Sequence, residues 1–441
     1  MNLFKDKRFL KFLLPSLVGM VLFVIPVSQG GSLTIPIAVA ANFLLNLMGV
    51  HSSTVIWLLI SLSAVVTLLH KTVGVPFIRK NRKLDALFSV KGLWFFVLMA
   101  GFAFVNMIYF GVGPACILSD ETGGLIIRDL MPILTCVFLL AGILLALLLN
   151  YGLLDFFGAL MVRLMRPVFN LPGRSALDCV ASWLGDGSIG VLLTSKQYEE
   201  GFYSKREATV IATTFSAVSI TFCLVVISQV GLEHMFIPFY LVVSLAGVVA
   251  AIIVPKLPPL SRIPDSYAVE CPASEKAAGA RQGLQLALEK AEKAPGLRDF
   301  WKEGLENVAQ MWFGTLPVIL SMGTAALIIA NFTPVFHILG MPFIPLYRLL
   351  HIPEAAQVSQ TVIVGFADMF LPSVMAASIE SDLARFVVAA TSVSQLIYMS
   401  EIGSIIMGSS IPVSLKNLFV IFIERTIVTL PVIALCAHLL F

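Results

Sequence analysis

Apolar runs long enough to cross a bilayer recur along this chain, Met131–Tyr151 and Met235–Val254 among them. A helix needs about 20 such residues to span the hydrocarbon core. In lipid every backbone N–H and C=O must find a partner within the protein, which leaves only helices and closed barrels. Barrel strands would read as short alternating segments, and that pattern is absent. The chain therefore reads as an all-α, polytopic helical membrane protein. Composition bears this out: 12% of residues are charged and mean hydropathy is +0.94, whereas a soluble chain carries about 25% charge.

Several function classes drop away. The net charge of +3 belongs to loops and leaves no nucleic-acid footprint. Cysteines 116, 136, 179, 223, 271 and 436 are scattered, without metal-ligand or disulfide-framework spacing. There is no GxSxG, HExxH or P-loop, and the histidines are isolated, so neither an enzyme nor a bound cofactor is expected. The N-terminal Lys5-Asp-Lys-Arg8 before Phe9–Val27 has the charge order of a signal peptide. Its apolar part is too long and lacks a cleavage pattern, so it reads as a retained first helix.

Expected spans are 9–27, 33–50, 54–70, 92–113, 131–151, 206–230, 234–254, 308–332, 384–408 and 412–440. Lys and Arg set the topology. Loop 71–91, with Lys71, Arg79, Lys80, Arg82, Lys83 and Lys91, reads as cytoplasmic, and so do residues 163–174 and 255–306. Loop 114–130, with Asp120, Glu121 and one arginine, reads as external. The basic N-terminus also reads as cytoplasmic, yet the first three spans would set it opposite loop 71–91. Either the Gln29-Gly-Gly-Ser32 break is re-entrant or the count holds one span too many.

The domain reading is N-terminal helices over 1–130, a membrane repeat over 131–254, a cytoplasmic linker over 255–306 with a surface helix at Glu275–Ala294, and a second repeat over 307–441. Each repeat runs span, amphipathic or polar piece, broken hairpin, then two spans. The hairpins are 174–203 and 352–382, Gly185 pairs with Gly365, and Ser216-Ala-Val-Ser219 with Thr391-Ser-Val-Ser394. Three full crossings per unit would give the units opposite orientation, with hairpin tips meeting near the midplane. Inverted repeats with interrupted segments mark transporter binding sites.

Both tips place a carboxylate beside glycine: Trp183-Leu-Gly-Asp-Gly-Ser-Ile-Gly190 and Val364-Gly-Phe-Ala-Asp-Met-Phe-Leu-Pro372. A charge at membrane depth is costly and marks a functional position. Asp186, flanked by Gly185 and Gly187 and followed by Ser188, would attract a coupling ion, a proton, or an amine or hydroxyl of a solute; it would equally N-cap the following helix. Asp368, with Gly365 before it and Ser373 after it, carries the same two readings. Ser219 and Ser394 would line the bundle interior or simply pack between helices. Glu401, within an apolar span, is a candidate for proton coupling or solute contact. Glu424 and Arg425 read as neutralising or snorkelling groups, and Trp183 as a packing or stacking residue.

The run Gly185-Asp-Gly-Ser-Ile-Gly-Val-Leu-Leu-Thr-Ser-Lys-Gln-Tyr-Glu-Glu-Gly201, with Ser204-Lys-Arg-Glu-Ala-Thr-Val-Ile-Ala-Thr-Thr-Phe-Ser216, resembles the nucleoside-recognition or Gate domain of bacterial membrane proteins. Lys11-Phe-Leu-Leu-Pro-Ser-Leu-Val-Gly19 and Thr34-Ile-Pro-Ile37 resemble the YjiH family of that group. The resemblance, distantly shared with concentrative nucleoside transporters, implies helical hairpins meeting at the membrane centre. The Gly-Gln-Thr-Glu-like stretch of those transporters is replaced here by Gly185-Asp-Gly-Ser188, so the resemblance carries the geometry and not the base-reading groups. The resulting expectation is a secondary transporter in the bacterial inner membrane for a small polar solute, such as a nucleoside-like compound, amino acid or short peptide. Na⁺ or H⁺ would be the coupling ion, since no ATP-binding element is present. The partners are lipid and solute, with a homo-oligomer left open. A non-transporting scaffold, as in spore maturation relatives, or a channel-like pore are the alternatives.

Overall fold

The structure, a computed structural model, describes residues 7–23, 25, 27–29, 32–80, 82–90, 92–184, 187–215, 218, 220–269 and 279–441. Gly185, Asp186 and Ser219 lie outside the described residues. The protein is an all-α polytopic membrane protein. Its one sheet among the described residues is a short antiparallel pairing of Val27–Gln29 with Ser32–Thr34. Among the described residues, five helical runs are long and apolar enough to cross a membrane: Pro36–Thr72, Ala115–Leu149, Glu233–Lys256, Leu297–Phe332 and Leu415–Leu440.

Burial along Ser52–Thr72 has the polarity of a lipid-facing helix. Leu58, Leu62, Val65 and Leu69 are exposed, while Ser63 and Thr67 are buried. A soluble helix would turn these faces round. With lipid tails as the outer solvent, aliphatic side chains face out and small hydroxylated ones fill the helix interface.

Several expected spans change form. Segments 33–50 and 54–70 join in the single helical run Pro36–Thr72, interrupted at Gly49, whose φ of 48° and ψ of −128° are not helical. Loop 114–130 is partly helical: Gly123–Leu125 and a π-helical turn over Ile126–Leu130 lead straight into Met131–Leu144. The linker likewise runs into the next span, because Leu297–Ala309, a π turn Gln310–Thr315 and Leu316–Phe332 form one run. Both π turns precede a proline, Pro132 and Pro317. Proline has no N–H to donate to the carbonyl four residues back. For Pro317 that carbonyl belongs to Phe313, and the Ser63 hydroxyl donates to it at 2.6 Å. A neighbouring helix thus satisfies the group that proline leaves open, as lipid surroundings require.

The linker helix, Ala280–Lys293, is not a free surface helix. Gly283, Ala287 and Ala291 bury their face against Leu153–Phe169 and the N-terminal helix Lys7–Phe23, where Phe12 joins them. A Cβ at Gly152 would lie 2.5 Å from the Ala287 carbonyl, and one at Gly283 2.8 Å from Ala159 Cβ. The small residues therefore set the approach of the helices. Lys11 Nζ donates to the carbonyls of Glu292 and Ala294, closing the linker helix's C-terminal end.

Candidate functional site

The first hairpin has arms Ser175–Leu184 and Gly187–Glu199. Their packing is fixed by Gly190, where a Cβ would come 2.7 Å from Ser182 Cβ. A buried carboxylate pins the arms. Asp178, with no exposed surface, accepts from Thr194 Oγ1 at 3.0 Å, Gln197 Nε2 at 2.8 Å and Tyr203 Oη at 3.0 Å. A buried carboxylate is tolerable only with this many donors. The hairpin's base is held separately. Arg174 pairs with Asp155 at 3.0 Å and lies 3.5 Å over the Phe202 ring, and Lys290 of the linker helix reaches the other Asp155 oxygen at 3.5 Å.

The second hairpin has arms Ala355–Ala367 and Leu371–Ala376. Asp368 stands at its tip and does what a cap does: Oδ1 accepts the N–H groups of Phe370 at 2.8 Å and Leu371 at 3.1 Å. Its other oxygen reaches out of the hairpin to accept the Ser400 hydroxyl at 2.7 Å. Capping and a longer-range role thus coexist in one side chain.

The helices after the hairpins are broken, where the sequence reads as continuous spans. In the first, Lys205–Val210 passes through a π turn, Ile211–Phe215, and helix resumes at Ile220–Gln229. In the second, Asp382–Gln395 ends at Leu396, whose φ is 62°, and helix resumes at Ile402–Gly408. The unwound residues donate elsewhere: Met399 N–H to the Phe366 carbonyl and Ser400 N–H to that of Ala367, each at 2.8 Å. The second tip and the second break thus pair backbone to backbone.

Arg425, buried in the last helix Leu415–Leu440, joins the two breaks. Its Nε donates to the Ser394 carbonyl at 2.5 Å and its Nη1 to the Thr214 carbonyl at 2.7 Å. Helix C-terminal ends carry partial negative charge and unmet carbonyls, so a cation is the natural group to hold two of them together. The two carbonyls stand 180 residues apart (394 minus 214), the same separation as Gly365 from Gly185. At that separation Thr391–Gln395 would align with Ile211–Phe215, five residues earlier than the serine-rich runs suggest. The tips also touch across the halves. A Cβ at Gly187 would lie 2.8 Å from Ile402, and the Phe370 ring meets that of Phe222 at 6.3 Å, with Ile402 again 180 residues after Phe222.

These elements line a half-open cavity of about 120 Å³, with the exposed residues Trp183 and Val248 at its rim. Its walls include Phe169, Trp183, Phe215 and Tyr240, with Trp183 stacked on Tyr240 at 6.2 Å. Its polar members include Cys179, whose thiol donates to the Phe215 carbonyl at 3.1 Å, together with Ser244, Ser394 and Arg425.

Of the expected site residues, Ser394 lines this cavity. Gly365 is in contact with the break beside it, since a Cβ there would fall 2.0 Å from Gln395 Oε1. Gln395 in turn donates to the Val362 carbonyl and Thr426 Oγ1, both at 3.0 Å. Ser188 is buried in the first turn of its arm. Ser373 spends its hydroxyl locally on the Phe370 carbonyl at 2.6 Å. Glu401 is not inside a continuous span; it stands at the head of Ile402–Gly408 and accepts from Tyr398 Oη at 3.2 Å. Arg425 and Tyr240 were not among the expected site residues. Arg425 does not snorkel: only 2% of it is exposed. The available signal was its place in the middle of an apolar helix of 26 residues.

Residues 131–233 match a family model described as Gate, nucleoside recognition, which takes in the first hairpin and the first broken helix. An uncharacterised protein of Alkalihalophilus pseudofirmus is 47% identical over 438 residues, covering 98% of this chain and 95% of the relative. No solved structure matches. With the matched segment forming the hairpin and broken helix around the cavity, the chain carries a Gate, or nucleoside recognition, domain over residues 131–233 and belongs to one family with the Alkalihalophilus protein.

Proposed function

We propose that the protein is a secondary transporter of a small polar solute in the bacterial inner membrane, and that the cavity walled by Trp183, Tyr240, Ser394 and Arg425 is its central binding site. The observation that carries this reading is the convergence there of two broken helices, with hairpin tips that touch the opposite half. Broken helices leave polar backbone ends at membrane depth, which are tolerated where they are buried in protein or line a cavity. The two units, matching at a constant separation, read as inverted repeats whose rocking would open the cavity to either side. Nucleoside-like compounds, amino acids and short peptides are the solute classes in view, with Na⁺ or H⁺ as the coupling ion. Asp368 and the tip residue Asp186 are the carboxylates proposed for coupling.

Uptake by proteoliposomes against a solute panel, with and without a sodium or proton gradient, tests this. Gradient-dependent uptake of at least one solute is expected. Absence of uptake for the whole panel, with protein shown to be folded and inserted, would overturn the transporter reading.

A further inference from the structure

Three residues that line the cavity carry a donor that no described residue accepts from. Arg425 spends Nε and Nη1 on carbonyls, and among the described residues its Nη2 has no partner. Ser394 Oγ is buried without a hydrogen-bond partner, and Tyr240 Oη, beside the Trp183 indole, has no acceptor for its own proton; a solute reaches both oxygens once the packing over them gives way. All three residues line the same cavity. Ser244, a further polar lining residue, donates to its own helix at the Tyr240 carbonyl, and Cys179 to that of Phe215. No carboxylate is among the lining residues, and no described acid pairs with Arg425.

Buried donors left without acceptors destabilise the fold, so the site is arranged to receive acceptors. A neutral carbonyl offers two lone pairs and meets two of the three donors. A carboxylate offers about four acceptor positions and meets all three. It also answers a guanidinium whose charge the two helix ends offset only in part. The remaining walls are aromatic and aliphatic. At about 120 Å³ the cavity is close to the roughly 150 Å³ that accommodates one benzene in an engineered core. That space suits one ring-sized body.

We propose that the solute is a small organic anion, a carboxylate on a single ring-sized apolar body, whose carboxylate is received by Arg425 Nη2, Ser394 Oγ and Tyr240 Oη. This rests on the cavity being the solute site. It narrows that reading from polar solutes in general to monocarboxylates, and it excludes a free amine as the recognised group.

The test is binding to the purified full-length protein, with matched probe pairs: benzoate against benzamide, nicotinate against nicotinamide, and cyclohexanecarboxylate against its amide. Dissociation constants are read by calorimetry and melting shift. At least one carboxylate should bind about tenfold or more tightly than its amide. Ser394→Ala removes a hydroxyl without a protein partner and Tyr240→Phe one whose only neighbouring donor is the half-exposed Trp183 indole, so both should melt like the parent. Each should weaken carboxylate binding about five- to tenfold and leave the amide unchanged. Arg425→Gln should abolish the preference for the carboxylate; because Arg425 also holds two helix ends, the two hydroxyl variants decide the matter if it fails to fold. Equal binding of acid and amide, binding of no carboxylate, or carboxylate binding indifferent to both hydroxyl variants overturns the inference. The two readings fail separately. Gradient-driven uptake of an uncharged or cationic solute without carboxylate binding refutes the anion and keeps the transporter. Carboxylate binding sensitive to Tyr240→Phe without uptake of any solute does the reverse.

Discussion

Removing the carboxylate of Asp368 should loosen the second hairpin tip from the broken helix beside it, and the size of the effect follows from its bonds. Oδ1 takes two backbone N–H groups and Oδ2 takes the Ser400 hydroxyl. The capping part is worth about 0.5–2 kcal/mol. For the Ser400 bond, figures from water-soluble proteins run to about 1.5–3 kcal/mol when one partner is charged. Interhelical hydrogen bonds measured within a membrane average about 0.6 and reach about 1.7 kcal/mol, since the unfolded chain in lipid also finds partners. The lower scale governs here, at its upper end, because the acceptor is a carboxylate. Asp368→Ala should therefore cost about 2–4 kcal/mol and Ser400→Ala about 1–2 kcal/mol. Their coupling in a double-mutant cycle should be about 1–2 kcal/mol. Asp368→Asn keeps one oxygen for both N–H groups and turns an amide to Ser400, which can accept. It should lose about 1 kcal/mol, melt near the parent, and still impair uptake if the carboxylate serves coupling. Reversible unfolding in mixed detergent micelles gives the cycle. A coupling below about 0.5 kcal/mol, the usual scatter between independent sites, would show that the Ser400 bond does not hold the tip and would refute the reasoning.

Gly365→Ala should drive a methyl into Gln395 Oε1 and cost about 2–4 kcal/mol by overpacking and by disturbing two buried bonds; Gly365→Ala/Gln395→Ala should recover much of the melting loss, and failure to recover would mean the clash lies elsewhere. Gly173→Ala should be worse and beyond rescue by trimming a side chain, because its Cβ would fall 1.9 Å from the Gly158 carbonyl oxygen, which is backbone; parent-like expression and melting would contradict that close approach. Arg174→Met should cost up to about 3–5 kcal/mol by leaving Asp155, which is 6% exposed, with Lys290 at 3.5 Å as its remaining ion-pair partner among the described residues, whereas Asp155→Leu/Arg174→Met should lose less than the single change; a double variant less stable than Arg174→Met would reverse that argument in a denaturation series.

The hairpins were legible because their breaks are written locally, as glycine and aspartate inside apolar sequence. The capping role of Asp368 follows from the same letters. The broken helices were not legible. Between Lys205 and Val230 and again between Ala384 and Ile402 there is no glycine or proline, so local propensity favours unbroken helix. What permits the breaks comes from far along the chain: Arg425 takes the freed carbonyls of Thr214 and Ser394, and the second tip takes the freed N–H groups of Met399 and Ser400. The local trace was the density of hydroxylated residues at Thr213-Thr214 and Thr391–Ser394, side chains that offer the backbone alternatives to helix. Arg425 was misplaced for a related reason. Next to Glu424 it looked like one of a pair near a membrane surface, and only the arrangement of two remote helix ends gives it a partner at depth.

The packing of the linker helix also orders events during synthesis. Phe156 and Ala159, on the helix beneath the first hairpin, and the second oxygen of Asp155 await partners at Gly283, Ala287 and Lys290. Those partners follow Arg174 by up to 116 residues (290 minus 174). At about 5–20 residues per second, the ribosome delivers them roughly 6–23 s later. Through that interval the first hairpin has its internal Asp178 pin but an open base, and two more spans must insert before the base closes. A nascent chain halted between the two membrane halves should therefore leave the first hairpin accessible to protease added on the side of the linker, and release of the linker helix should protect it.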